Sequence, residues 1–280
     1  MRLTQFLDSD HQIRFGRDFG DGTAELLAGD GFEDLTLTGE VVEITQRLAP
    51  VTPPNIFCIG LNYREHAAET GAAIPARPVV FMKPTTTLCG PGEAVVIPAS
   101  QMDGPEVDSE AELAVVMGLK DGQPARDVSE AEALDYVLGY TCGSDISARR
   151  WQKHGGGGQW VRGKGFDTFC PLGPVIVTKG VGDDEIADPQ NLTIAGKLND
   201  TVMQSSHTSD MIFSVAEIVS FLSRDTTLLP GTVILTGTPP GVGFVRQPPV
   251  WVMPGDELTV EIETIGALRN PVTAVSPPHV

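Results

Sequence analysis

Val107-Asp108-Ser109-Glu110-Ala111-Glu112-Leu113-Ala114-Val115-Val116-Met117 is the stretch that decides how the rest of the chain is read. Its composition is that of a β-strand, in which residues i and i+2 share a face. One face then carries Asp108, Glu110, Glu112, Ala114 and Val116. A strand with one solvated face keeps alternating polar and apolar residues, and this one turns apolar directly after Glu112. The two glutamates are therefore expected to point into a cavity. Two like charges about 4 Å apart repel by roughly 4 kcal/mol at an effective dielectric of about 20. Such a pair needs a proton or a cation. A hard divalent metal meets that need, and it marks the chain as an enzyme.

Working outward, other apolar runs read as strands: Ile56 to Ile59, Val79 to Met82, Val137 to Cys142, Val175 to Val177, Val233 to Leu235 and Leu258 to Ile262. Helices are fewer. The clearest begins at Ser214, which forms a capping-box pattern with Glu217, and it stops before Pro230-Gly231. A second carries Ala131, Ala133 and Leu134. Residues 1–50 read as a small β domain of short strands, with Asp21-Gly22 as a hairpin turn. Pro50, Pro53 and Pro54 form a stiff connector, and residues 51–280 are the catalytic, metal-binding domain. Strands outnumber helices without regular alternation. The expected fold is a β-rich mixed α+β roll or sandwich.

Asp145 is the third acidic candidate. It closes Gly139-Tyr140-Thr141-Cys142-Gly143-Ser144-Asp145 and opens a segment with Arg149 and Gln152. A helix starting at Asp145 puts all three on one side, so a carboxylate, a guanidinium and an amide converge. An oxygen-only ligand set suits Mg²⁺, Mn²⁺ or Ca²⁺ and argues against structural zinc. His66 and Glu69 are three apart after Gly60-Leu61-Asn62-Tyr63, one helical turn. A carboxylate beside an imidazole orients it for taking a proton from water, and Gly60 is where a lid would hinge. Lys83 ends an apolar strand, and Lys164 lies between two glycines. In Thr236-Gly237-Thr238-Pro239-Pro240-Gly241, backbone N–H groups and the Thr238 hydroxyl are placed to hold a carboxylate. The tract Gly155 to Gly158 lacks the Lys-Ser/Thr ending of a phosphate loop and reads as a mobile loop.

Composition bounds the partners. Acidic residues outnumber basic ones by 37 to 19, for a net charge of -18, which argues against a nucleic-acid surface. Attraction of an anionic substrate must then be local. No stretch has the length of a membrane span and no apolar signal region opens the chain. The four cysteines are widely spaced and read as buried, reduced thiols of a cytoplasmic protein.

These segments, in this order, resemble the fumarylacetoacetate hydrolase family. The resemblance covers most of residues 55–272 and rests on Ile59-Gly60-Leu61-Asn62-Tyr63 with His66, Phe81-Met82-Lys83-Pro84, Glu110-Ala111-Glu112-Leu113, Gly143-Ser144-Asp145-Ile146-Ser147-Ala148-Arg149, Gly163-Lys164-Gly165-Phe166-Asp167 and Thr236-Gly237-Thr238-Pro239. It implies Mg²⁺ or Mn²⁺ on Glu110, Glu112 and Asp145. It implies His66 and Glu69 as water activator on a lid, with Lys164 as a further catalytic group. Lys83, Arg149, Gln152 and Thr238 would meet the substrate. It also implies a homodimer. The family's usual Asn before the ligand Asp is Ser144 here. The implied activity is hydrolysis of a C–C bond in a 2,4-dioxo acid, an acylpyruvate or diketo sugar acid, by way of an enolate offset by a fixed dication. The alternatives on the same scaffold are an isomerase of the 2-hydroxyhepta-2,4-diene-1,7-dioate or 5-carboxymethyl-2-hydroxymuconate type, or an oxaloacetate decarboxylase. A non-catalytic, Ca²⁺-stabilised β module is the rival from a different class.

Overall fold

The computed structural model describes residues 1–29, 31–32, 35–99, 106–154 and 158–275. Each of the apolar runs named above forms a strand. They assemble into one large mixed sheet that runs Cys170–Thr178, Val137–Ser144, Ala111–Met117, Val233–Leu235, Ile56–Gly60 and, at its edge, Val79–Lys83. A second, five-stranded sheet runs Thr201–His207, Thr193–Leu198, Glu257–Ile262, Gly266–Ala274 and Val95–Ile97. The two share a core: Leu113, Val115 and Cys142 of the large sheet lie in one cluster with Ile194, Val260 and Leu268 of the smaller. This is the β-rich α+β sandwich that the strand count implied.

The central strand explains its own sequence. Ala111–Met117 is buried along its whole length. Leu113, Val115 and Met117 enter the core shared with the second sheet and with helix Val215–Ser223. Ala114 and Val116 enter a separate cluster with Leu3, Ile176 and Leu235 on the opposite face. A strand covered on both faces has no reason to alternate.

The quoted run is not a single strand, however. It breaks at Ser109–Glu110: Val107–Asp108 pairs with Ser147–Ala148, and only Ala111 onward joins the large sheet. The reason lies in Asp108. Its carboxylate accepts from the backbone N–H groups of Ser109, Gly243 and Phe244, which draws the chain out of the ladder. Nor does a helix start at Asp145. The short strand Ser147–Ala148 intervenes and the helix spans Arg149–His154.

At the N-terminus, Arg2–Leu7, Ile13–Asp18, Thr23–Leu27 and Leu37–Glu43 form an antiparallel meander. Leu3 pairs with Ile176, so hydrogen bonds continue the meander into the large sheet. Asp21 accepts from the N–H and hydroxyl of Thr23 and closes the expected turn. The capping box is present: Ser214 Oγ accepts from Glu217 N at 3.2 Å, and Glu217 Oε2 from Ser214 N at 2.7 Å. The second helix is a single turn, Glu130–Ala133, continued by a 3₁₀ turn to Tyr136. All four cysteines are free and buried. Among the described residues no helix is long and apolar enough to cross a membrane. Gly155 to Gly157 lie outside the described residues.

Candidate active site and metal centre

The strand pairing brings the three acids together. Ala111 faces Ser144 and Glu112 faces Gly143 across the ladder, and Asp145 N donates to Glu110 O at 2.9 Å. Glu110, Glu112 and Asp145, all buried, each offer an oxygen within 4.8 Å of the others. Asp145 Oδ1 is buried without a hydrogen bond. It does sit 2.7 Å from Lys83 Nζ. Lys83 already faces the carbonyls of Ile146, Lys164 and Phe169 at 3.1, 2.6 and 2.9 Å, and an ammonium has only three protons. The contact to Asp145 is thus an ion pair that occupies one side of this oxygen. An oxygen-only, buried set of three converging carboxylates fits a divalent cation.

Electrostatics divide the three carboxyls. Lys164 Nζ reaches Glu110 Oε2 at 2.8 Å and also bonds Asp145 Oδ2. Arg149 Nη2 lies 2.6 Å from Glu110 Oε1 and 2.8 Å from Asp108 Oδ2. Burial works against the charge on Glu110, yet Lys164 and Arg149 outweigh it and hold this carboxyl well below the usual range. Burial likewise opposes charge on Lys164, and Asp145 with Glu110 overcomes it, raising the ammonium's pKa. Among the described residues Glu112 has only the Gly237 N–H, at 2.6 Å. Burial, followed by Asp145 and Glu110, pushes it well above the ordinary carboxyl value. Of the three, Glu112 alone has no cation within ion-pair distance among the described residues.

The acids open into a cavity of about 280 Å³ lined also by His66, Arg149, Gln152, Lys164 and Thr238. His66 sits in helix Arg64–Thr70, with Nδ1 2.6 Å from Glu69 Oε1. Glu69 is itself fixed by the Gly241 N–H at 2.9 Å. The helix entry is tied down: Asn62 exchanges hydrogen bonds with Phe213 and donates to Thr236 O. Gly60 has a packing role here. A Cβ there would come within 2.5 Å of the Trp160 ring. Trp160 begins the short helix that carries Lys164, and Gly163 of that helix sits against the Gln152 backbone, where a Cβ would meet N at 2.7 Å.

Two expected substrate contacts are placed differently. Lys83 is buried behind Asp145 and does not line the cavity. Thr238 does line it, but its hydroxyl donates to Ala111 O at 3.0 Å and accepts from Gln204 Nε2 at 2.7 Å. The N–H groups of that loop are also committed, Gly237 to Glu112, Gly241 to Glu69 and Gly243 to Asp108. They position protein carboxylates. Arg149 pairs with Glu110 and Asp108 rather than with Asp145, and its Nη1 donates to Gln152 Oε1 at 2.9 Å.

Several residues of the site carried no usable sequence signal. Gln204 bonds Ala111 N, Thr238 Oγ1 and Pro239 O, clamping the Glu110-Ala111-Glu112 segment to the Thr238 loop. It is a lone amide in a polar edge strand. Phe244 lines the cavity from a segment about a hundred residues beyond Asp145, while Lys153 and Trp160 line it from the stretch that follows Asp145 by 8 and 15 residues. Asp108 was read only as a member of the acidic face, although its alternation with Glu110 pointed to it.

Residues 55–273 match the family model described as fumarylacetoacetate (FAA) hydrolase C-terminal. The fumarylacetoacetate hydrolase domain-containing protein 2 homolog of Dictyostelium discoideum is 48% identical over 229 residues, covering 80% of this chain and 73% of that protein. The protein named mitochondrial oxaloacetate tautomerase fahd2 in Xenopus laevis is 46% identical over 226 residues, 80% of this chain and 67% of that protein. Among solved structures, the 5-carboxymethyl-2-hydroxymuconate delta-isomerase of Mycobacterium smegmatis superposes with a TM-score of 0.82 at 37% identity, covering 98% of this chain and 100% of that one. The 2-hydroxyhepta-2,4-diene-1,7-dioate isomerase of Mycobacterium marinum gives 0.82 at 38%, covering 99% and 100%.

Proposed function

This chain belongs to the fumarylacetoacetate hydrolase family, and from that premise we propose that it is a divalent-cation-dependent isomerase that interconverts the keto and enol forms of a 2-oxo acid of the oxaloacetate type. The observation that carries the reading is the buried Glu110, Glu112 and Asp145 set opening into the same cavity as the His66–Glu69 dyad. The relatives named for tautomerase and isomerase activity put proton transfer ahead of the hydrolysis that the motifs alone favoured. Mg²⁺ or Mn²⁺ suits the all-oxygen set. When bound, the cation would offset the negative charge that develops on the 2-oxo acid end.

The chain's own groups do the rest. Glu69 accepts from Nδ1–H of His66, which leaves Nε2 with the lone pair that takes a proton. Lys164, between Glu110 and Asp145, is placed to donate to a developing oxyanion. With its Oε1 bonded to Arg149, Gln152 has its NH₂ group available to a ligand. The test is decay of the enol absorbance of oxaloacetate with Mg²⁺ or Mn²⁺ and with a chelator. No acceleration with either metal sinks the reading.

Hydrolysis of a 2,4-dioxo acid is the second reading, favoured by the same dyad, since Nε2 can take its proton from water instead of carbon. Formation of two carboxylic products from an acylpyruvate identifies it.

A further inference from the structure

Three cations line the cavity: Arg149, Lys164 and Lys153. Two already have carboxylate partners, Arg149 in Asp108 and Glu110 and Lys164 in Glu110 and Asp145. Lys153 has no carboxylate within ion-pair distance among the described residues. Its Nζ lies instead 3.4 Å from the centroid of the Phe244 ring, which also carries the Arg149 guanidinium at 4.3 Å. In a chain with 37 acidic and 19 basic residues, a cation left without an acid at the mouth of a cavity is an unused binding element. Burial and the neighbouring Arg149 both work against its charge, and an anion beside it would relieve that.

The cavity has a direction. Its floor is the acidic set, where a cation would take the carboxylate and carbonyl of a 2-oxo acid. Its walls include Leu61, Phe81 and Trp160, and Lys153 stands on the exposed side of helix Arg149–His154. A second carboxylate passing apolar walls loses hydration and needs a counter-charge. We propose that Lys153 is a specificity-determining residue, receiving the distal carboxylate of a 2-oxo dicarboxylic acid whose 2-oxo acid end lies at Glu110, Glu112 and Asp145. The proposal rests on the 2-oxo acid reading of the site and adds the residue that receives the second acid group.

Calorimetry on the Mg²⁺-loaded protein tests it with three probes. Oxalate occupies the floor alone, L-lactate is a chelating monocarboxylate, and L-malate carries the extra acid. The wild type is expected to prefer L-malate over L-lactate by about tenfold, as one charge-assisted hydrogen bond would give. Lys153→Met should lose that preference while keeping its affinity for oxalate, and Lys153→Arg should regain it. Preference retained in Lys153→Met overturns the proposal, as does equal binding or no binding of the two hydroxy acids by the wild type. Loss of oxalate affinity in Lys153→Met also overturns it, because the side chain would then act on the whole site. A wild type that shows the Lys153-dependent preference but does not turn over oxaloacetate refutes only the isomerase reading.

Discussion

At the residue scale, Glu112 is where charge and metal meet. Its carboxyl is raised in the folded, metal-free protein. A group raised on folding stabilises the fold below its unfolded value, about 4.3 for glutamate, and that contribution is lost as pH climbs through the folded value. The melting temperature of the metal-free wild type should therefore fall relative to Glu112→Gln as pH rises above about 4.3. Metal binding must expel the proton, so affinity for Mg²⁺ should rise with pH in the wild type. Calorimetry in two buffers of different ionisation enthalpy reads the released proton. A pH-independent affinity with no proton release would refute the ligand role of Glu112. For His66, replacement by Ala should lower turnover by about 10²–10⁴-fold, the usual effect of removing a general base. Oxalate affinity should survive, and full turnover in His66→Ala would remove the dyad from the mechanism. The convergence of these residues was legible in the sequence. The spacing of Glu110 with Glu112 and of His66 with Glu69 predicted shared faces; the helix pair is placed so, and Glu110 meets Glu112 from just outside the strand. Lys83 and Thr238 were not legible in the same way. Their partners are main-chain carbonyls and Gln204, which side-chain spacing does not reveal.

At the element scale, local signals were read well where one segment carries them. The Ser214 capping box predicted both the helix and its start. Its cap can be weighed: Ser214→Ala should cost about 1 kcal/mol in unfolding free energy. Urea titration of wild type and variant measures it, and an unchanged midpoint would mean Glu217 alone secures the helix end. The break at Ser109–Glu110 was not legible. The N–H donors that draw Asp108 aside include Gly243 and Phe244, more than a hundred residues downstream. The same holds for Arg149, whose apparent helical partner was Asp145 and whose observed partners come from the stretch before Ala111.

At the scale of the whole molecule, the N-terminal meander shares hydrogen bonds with the strand Cys170–Thr178, two strands from the acidic centre. Removing residues 1–50 would bare a long apolar edge, and such edges associate. The truncated protein is expected to aggregate on expression, and a monodisperse, metal-binding fragment 51–280 would show that the meander is dispensable. The intact chain is expected to form a homodimer. Light scattering that returns a mass near the 29.8 kDa of one chain would refute this.

Lys83 has a wider consequence. Its ammonium ties three main-chain carbonyls and Asp145 together beneath the cavity, while Trp160, Lys153 and Phe244 line the cavity from other segments. Substitutions well separated in space and without shared partners combine almost additively. The lining is accordingly the place to diversify: libraries at positions 153, 160 and 244 would redirect which acids are accepted while the anchoring beneath is inherited unchanged, so that new selectivities arise without refounding the catalyst.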